Sequence, residues 1–268
     1  MRIPFAQIDA FADQPFAGNP AAVMPLTRWL DDAVLQAIAA ENNLSETAFL
    51  IPDATGEADF ELRWFTPAAE VALCGHATLA SGHFVLSSGE ARTRVTFRTR
   101  QAGVLEVTSA DSGYTLALPA WKAEPRDLAH VAHTLGVADP VATLWHPKAY
   151  ALIVADNADA VRALDPSATA LATLEPMVAV ITAPGDALSG SDIVSRVFTP
   201  GYGIHEDPVT GSAHAVAVPY WAKRLDRTRM TAFQASARGG RLTCELAGDR
   251  VLLGGACVTV IEGTFLLP

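Results

Sequence analysis

Residues 196–215 read "RVFTPGYGIHEDPVTGSAHA", and residues 63–80 read "RWFTPAAEVALCGHATLA". Both open on Arg, one variable residue and Phe-Thr-Pro. Both then pass a Gly beside a small or polar residue and enter an Ala-rich run. A later pair also matches: "FRTRQAGVLEV" from Phe97 and "FQASARGGRLTCEL" from Phe233. The pairs Arg63/Arg196, Gly75/Gly211 and Phe97/Phe233 keep their order, each separated by close to half of the 268 residues. Phe-Thr-Pro alone recurs cheaply by chance. Three ordered landmarks at one offset make chance the poorer reading, and they point to duplication of a half-length unit.

Each copy places a strand before the Gly and a buried helix after it. "FELRWFTP" alternates like a half-buried strand and stops at Pro67, and "VSRVFTP" is its counterpart. "GHATLASGHFVLSSG" is apolar and ends at Gly89; "TGSAHAVAVPYWAKRL" holds helical spacing through Ala213, Val216, Tyr220 and Lys223. Pro219 inside that second helix should kink it, because it removes one N–H bond. "IPFAQIDAF" and "TAFLIP" read as strands, and "DDAVLQAIAAEN" as a helix with Val34, Leu35 and Ile38 on one face. "RVTFRT", "GVLEVT" and "YTLALP", and later "TAFQAS", "RLTCEL", "RVLLGG" and "VTVIEGTFLL", read as short strands. The expectation is an α/β chain of two similar halves, 1–124 and 125–268, with a linker near 119–127 ahead of the helix-like "LAHVAHTLG".

Composition narrows the function. Half of the residues are hydrophobic and 18% are charged, which is a globular composition. The net charge is -10 and no Lys/Arg run appears, so a nucleic acid partner is disfavoured. Cys74, Cys244 and Cys257 are odd in number and widely spaced, which gives no disulfide framework and no metal knuckle. The N-terminal "MRIPFAQIDAF" lacks a secretory apolar region, and no apolar run is long enough to span a bilayer. A cytoplasmic protein with no membrane partner is expected.

The repeated phrase suits chemistry as well as folding. The helices starting near Gly75 and Gly211 present unpaired N–H groups and the positive end of a macrodipole. Gly permits close approach of a ligand. Two such ends facing across a cleft would hold a small carboxylate without Arg or Lys; alternatively they are ordinary helix starts that bind nothing. The copies differ at Cys74-Gly75-His76 against Thr210-Gly211-Ser212. A racemase of the diaminopimelate epimerase-like group uses one thiol from each half, and Thr210 is far too weak an acid to replace the second. Cys74 then reads as a small buried residue. Glu46, in "NNLSETAFL", precedes an apolar strand, and the same offset in the second half lands on Ala179. This carboxylate therefore occurs once. It is a general acid/base if burial brings its pKa towards neutrality, and otherwise a solvated strand-end Glu. The second copy carries Glu206 and Asp207 just before Pro208. Asp207 is either a site residue or a turn residue before Pro208, and His76 is either a site residue or part of a helix start.

Four phrases, "DAFADQPFAGNPAAV" (9–23), "LSETAFL" (44–50), "RWFTPAAEVALCGHATLA" and "EDPVTGSAHA", resemble the PhzF-like family, named for the phenazine biosynthesis isomerase. They span both halves in the family order. The resemblance implies a diaminopimelate epimerase-like fold: two pseudo-symmetric domains, each a curved mixed sheet or barrel around a central helix, with the site between them. It implies a homodimer with no cofactor. It places Glu46 at the family's acid/base position, moving a proton on one face of a cyclohexadiene such as a dihydro-hydroxyanthranilate. By the same resemblance His76, Asp207 and Ser212 orient and polarise substrate, and the Gly75 and Gly211 N–H groups meet its carboxylate. Asn19, in "GNP", either lines the cleft or is a turn residue, and Arg238 has no assigned role. The rivals are a two-base epimerase using Cys74, a binding protein that has lost the chemistry, and a metal hydrolase. The last would use His76, His83, Asp207 and His214, whose spacings fit no zinc pattern, so no metal is expected.

Overall fold

A computed structural model describes every residue except Glu90, Gly203 and Pro268. The chain divides into two compact units, Met1–Ala117 with Gly254–Pro268, and Leu118–Leu253.

The first unit contains β1 (Arg2–Ala10), β2 (Asn19–Pro25), α1 (Asp32–Asn42), β3 (Glu46–Pro52), β4 (Phe60–Phe65), β5 (Glu70–Val71), α2 (Gly75–Leu86), β6 (Arg94–Thr99), β7 (Val104–Ala110) and the start of β8 (Gly113–Pro119). Its middle strands pair in a fixed pattern. β2 runs parallel to β3, β3 antiparallel to β4, β4 parallel to β6, and β6 antiparallel to β7. Helix α2 is apolar on nearly every side and is buried from Gly75 to Gly82, as expected of a helix enclosed by a sheet. It packs on β1, β2, β3, β6 and β7.

The second unit contains β9 (Glu124–Pro125), α3 (Ala129–Thr134), β10 (Ala142–His146), β11 (Tyr150–Val154), α4 (Ala158–Arg162), α5 (Ala168–Leu171), β12 (Val178–Pro184), β13 (Ile193–Thr199), β14 (Ile204–Glu206), α6 (Gly211–Leu225), β15 (Arg229–Gln234), β16 (Gly240–Ala247) and most of β17 (Arg250–Gly255). The same pairing recurs: β11 parallel to β12, β12 antiparallel to β13, β13 parallel to β15, β15 antiparallel to β16. The last strand, β18 (Cys257–Leu266), pairs along the whole of β1 and so belongs to the first unit. The boundary read from sequence at 124/125 lies further along the chain and leaves this strand in the second half. A split by repeat offset does not register a terminal strand that returns to the chain's beginning.

The repeated phrase is explained by its packing. In β4, Arg63 donates from Nε and Nη2 to the two carboxylate oxygens of Glu70 at 2.8 and 2.7 Å, and its guanidinium lies over Phe65. In β13, Arg196 does the same to Glu206 at 2.7 and 2.8 Å, over Phe198. The Thr66 hydroxyl donates to the Ala69 carbonyl, and the Thr199 hydroxyl to the Ile204 carbonyl. Arg-x-Phe-Thr thus closes the tight return from a core strand to a short partner strand in both units. Glu206, read from sequence as an acid peculiar to the second copy, has its counterpart in Glu70.

Pro219 sits inside α6. Its missing N–H would have bonded the Ala215 carbonyl one turn earlier. That carbonyl instead accepts from the Trp121 N–H at 3.0 Å, so the helix continues through the proline with its backbone satisfied.

Candidate active site

Glu46 opens β3, and Cys74 and His76 stand at the start of α2. Parallel pairing of β2 with β3 sets Ala21 beside Glu46, so Asn19 at the head of β2 arrives near the same place. The result is a tight group in the first unit. His76 is almost fully buried. Its Nε2 lies 3.0 Å from Glu46 Oε2, an ion-pair distance. The two atoms are close but off the line of a hydrogen bond, and neither has a hydrogen-bond partner among the described residues. Nδ1 of the same ring lies 3.1 Å from Asn19 Nδ2 and 3.5 Å from Cys74 Sγ.

This arrangement decides the proton's place. With the Asn19 amide nitrogen towards it, Nδ1 accepts, and a neutral His76 carries its proton on Nε2, facing Glu46. A protonated ring requires the Asn19 amide to turn over and present its oxygen. Burial opposes the imidazolium, and the negative Glu46 carboxylate 3.0 Å away favours it; the direction for His76 is upward from the ordinary 6.5. Burial, reinforced by the Glu46 carboxylate, pushes the Cys74 thiol up to about 11. Cys74 is therefore a neutral thiol at physiological pH and a poor base.

The raised His76 pKa has a stability consequence. A folded-state pKa above the unfolded one stabilises fully below the unfolded value and loses that contribution as pH rises through the folded value. The expected result is a decline in unfolding free energy from about pH 6.5 upward, below the range where the buried thiols ionise, and its absence in His76→Gln. Denaturant titrations at several pH values check it.

Gly18 fixes the entry to β2. Its φ is +65°, and a Cβ there would lie 2.2 Å from the Ala10 carbonyl oxygen. Gly18→Ala must therefore move backbone next to Asn19. It should cost more than about 1 kcal/mol in denaturant melts and loosen the Asn19–His76 contact.

The second unit gathers Asp207, Gly211 and Ser212 at the start of α6. Asp207 Oδ2 accepts from the Thr210 hydroxyl at 2.5 Å. Gln234, wholly buried at an inward position of β15, ties this turn together. Its Nε2 donates to the Asp207 carbonyl at 2.7 Å, and its Oε1 accepts from the Thr210 N–H at 2.9 Å. Neither Cys74 nor Thr210 caps its own helix with its side chain.

Asn19, Glu46, Gly75 and His76 therefore lie in the first unit, and Asp207, Gly211 and Ser212 in the second. Sequence reasoning missed Gln234, whose signal was a polar residue at the inward position of an alternating strand. It also passed over Cys74 as packing. His83 and His214 are engaged elsewhere. His83 bonds the Tyr114 and Thr259 hydroxyls at 3.0 and 2.9 Å. His214 bonds the Thr210 carbonyl through Nδ1 at 2.8 Å. Among the described residues, the group with metal-binding potential is Glu46, Cys74 and His76, one donor from each lying within 4.8 Å of the others.

Comparison with known proteins agrees with this architecture. The chain is 44% identical to an uncharacterized isomerase of Pseudomonas aeruginosa over the full length of both chains. It superposes on the crystal structure of a phenazine biosynthesis protein of the PhzF family from Enterococcus faecalis with a TM-score of 0.89 at 41% identity, each chain covered completely. It shares its fold, at 12% identity and a TM-score of 0.65, with a hydroxyproline epimerase from Agrobacterium vitis, covering 98% of this chain and 92% of that one. The diaminopimelate epimerase-like fold expected from sequence is the observed one. No helix among the described residues is long and apolar enough to cross a membrane. The family profile of PhzC-PhzF, phenazine biosynthesis-like protein, matches residues 8–263, and the chain belongs to that family as an isomerase.

Proposed function

We propose that this isomerase moves a proton between two carbons of a small carboxylate-bearing, cyclohexadiene-like metabolite, with Glu46 as its single acid/base. The observation that carries the reading is the Glu46–His76 pair, a carboxylate 3.0 Å from a buried imidazole. By strand register Val178, which opens β12, stands where Glu46 opens β3, so the acid is present once. The Glu46 carboxylate takes a proton from one ring carbon, electrons shift through the diene, and the same carboxyl returns the proton to a second carbon on the same face. A protonated His76 sets a positive charge beside the carboxylate during the transfer. Asn19 holds the His76 ring.

Cys74, with its thiol pushed up to about 11, and Thr210, a hydroxyl, supply no second base. That weighs against a two-base epimerase. In the same reading Asp207 and Ser212 hydrogen-bond substrate, and the Gly75 and Gly211 N–H groups meet its carboxylate. The reading takes no cofactor and a homodimer, which sedimentation velocity checks. The functional test is proton NMR of dihydro-hydroxyanthranilate with the wild-type protein. Isomerisation of the ring supports the reading. An inert mixture removes this substrate class.

A further inference from the structure

We propose that Glu46, Cys74 and His76 form a three-ligand site for a borderline-soft divalent cation such as Zn²⁺, and that occupation of this site inhibits the enzyme. The donor set is carboxylate oxygen, thiol sulfur and imidazole nitrogen, which suits zinc and is poor for magnesium or calcium. The donors already lie together. Cys74 Sγ is 3.5 Å from a ring nitrogen of His76, Glu46 Oε2 is 3.0 Å from the other, and one donor from each residue falls within 4.8 Å of the rest. Ligands at the usual zinc distances sit about 3.3–3.6 Å from one another in a tetrahedron. Sγ and Oε2 approach different ring nitrogens, so a turn of the His76 ring that brings one nitrogen to face both donors closes the group on an ion.

A second observation points to a ligand at this group. His76 Nε2 and Glu46 Oε2 are buried polar atoms without a hydrogen-bond partner among the described residues. The Glu46 oxygen left in this state costs free energy, and a cation bound to it would recover that; the His76 nitrogen that takes the cation first gives up its proton. Cys74 and His76 are separated by one residue at the start of α2, so the ligands hang from one rigid element and the head of β3. On binding, the Cys74 thiol and the His76 imidazolium each release a proton to solvent, and the thiolate and the freed ring nitrogen take the metal. The fourth position stays open to water or to a substrate carboxylate. Metal binding stands on this geometry alone; the inhibitory consequence rests on the proposed function, because the ion would occupy the proton-carrying oxygen of Glu46.

Cobalt(II) is the probe, because it gives strong visible bands in a tetrahedral site and a thiolate-to-cobalt charge-transfer band when cysteine is a ligand. The expected result is one Co²⁺ per chain with both signatures, displaced by Zn²⁺ and lost in Cys74→Ala. Absence of the charge-transfer band in the wild-type protein overturns the proposal, as does a band that survives Cys74→Ala. Loss of turnover on adding Zn²⁺, restored by a chelator and absent in Cys74→Ala, tests the inhibition. Cobalt binding without such inhibition overturns only that second part.

Discussion

Glu46→Gln should lower kcat by about 10²–10⁴-fold while the protein keeps its fold and its affinity for substrate. The amide matches the carboxylate in shape but cannot take a proton from carbon. Glu46 opens a strand whose next four residues are buried, and the change leaves their packing untouched. The His76 ring would lose the negative charge beside it and fall back towards an ordinary histidine pKa. Steady-state kinetics with a parallel thermal melt separate lost chemistry from lost structure. Cys74→Ala is the companion measurement and should retain turnover within a few-fold. The opposite pattern, a tolerant Glu46 and an essential Cys74, would mean a thiol-based epimerase.

Arg63→Ala should be the most damaging of these substitutions for stability, costing about 3–5 kcal/mol. The guanidinium is 2% exposed and is held by Glu70 and by Asp32, at 2.7 and 2.9 Å. It also stacks on Trp29 and Phe65 at about 5 Å, contacts worth more when desolvated. Asp32 is mostly exposed and Glu70 partly so, and water can rescue both carboxylates. The loss should therefore fall towards the lower end of that range. Arg196→Ala should cost less, because Arg196 is more exposed than Arg63. Denaturant melts of both variants and of the Arg63→Ala/Glu70→Ala double variant check this. Additive losses would contradict a specific Arg63–Glu70 interaction.

The repeat made most of the fold legible, because its landmarks encode packing. Arg-x-Phe-Thr marks a strand return in each unit, and the glycines mark the starts of α2 and α6. Helix α6 was read correctly despite Pro219, since the apolar spacing outweighed one lost hydrogen bond. What stayed hidden was long-range. The pairing of β18 with β1 joins the two ends of the chain, and no local pattern announces it. The pairing of β2 with β3 brings Asn19 to His76 across 57 positions, which left Asn19 between a turn and a site residue. Glu46 could not be weighed from sequence alone, because its chemistry depends on a buried neighbour that only folding supplies. Gln234 carried only the weak signal of a polar residue at an inward strand position, because its partners are the backbone and hydroxyl groups of a turn remote in sequence.

The proposed chemistry needs one base acting on one face of the substrate. The most direct measurement is the stereochemistry of deuterium incorporation when the wild-type enzyme turns over dihydro-hydroxyanthranilate in D2O. A single carboxylate predicts that any deuteron enters on the face from which the proton left. Entry on the opposite face would require a second acid/base and would contradict Glu46 as the sole proton carrier.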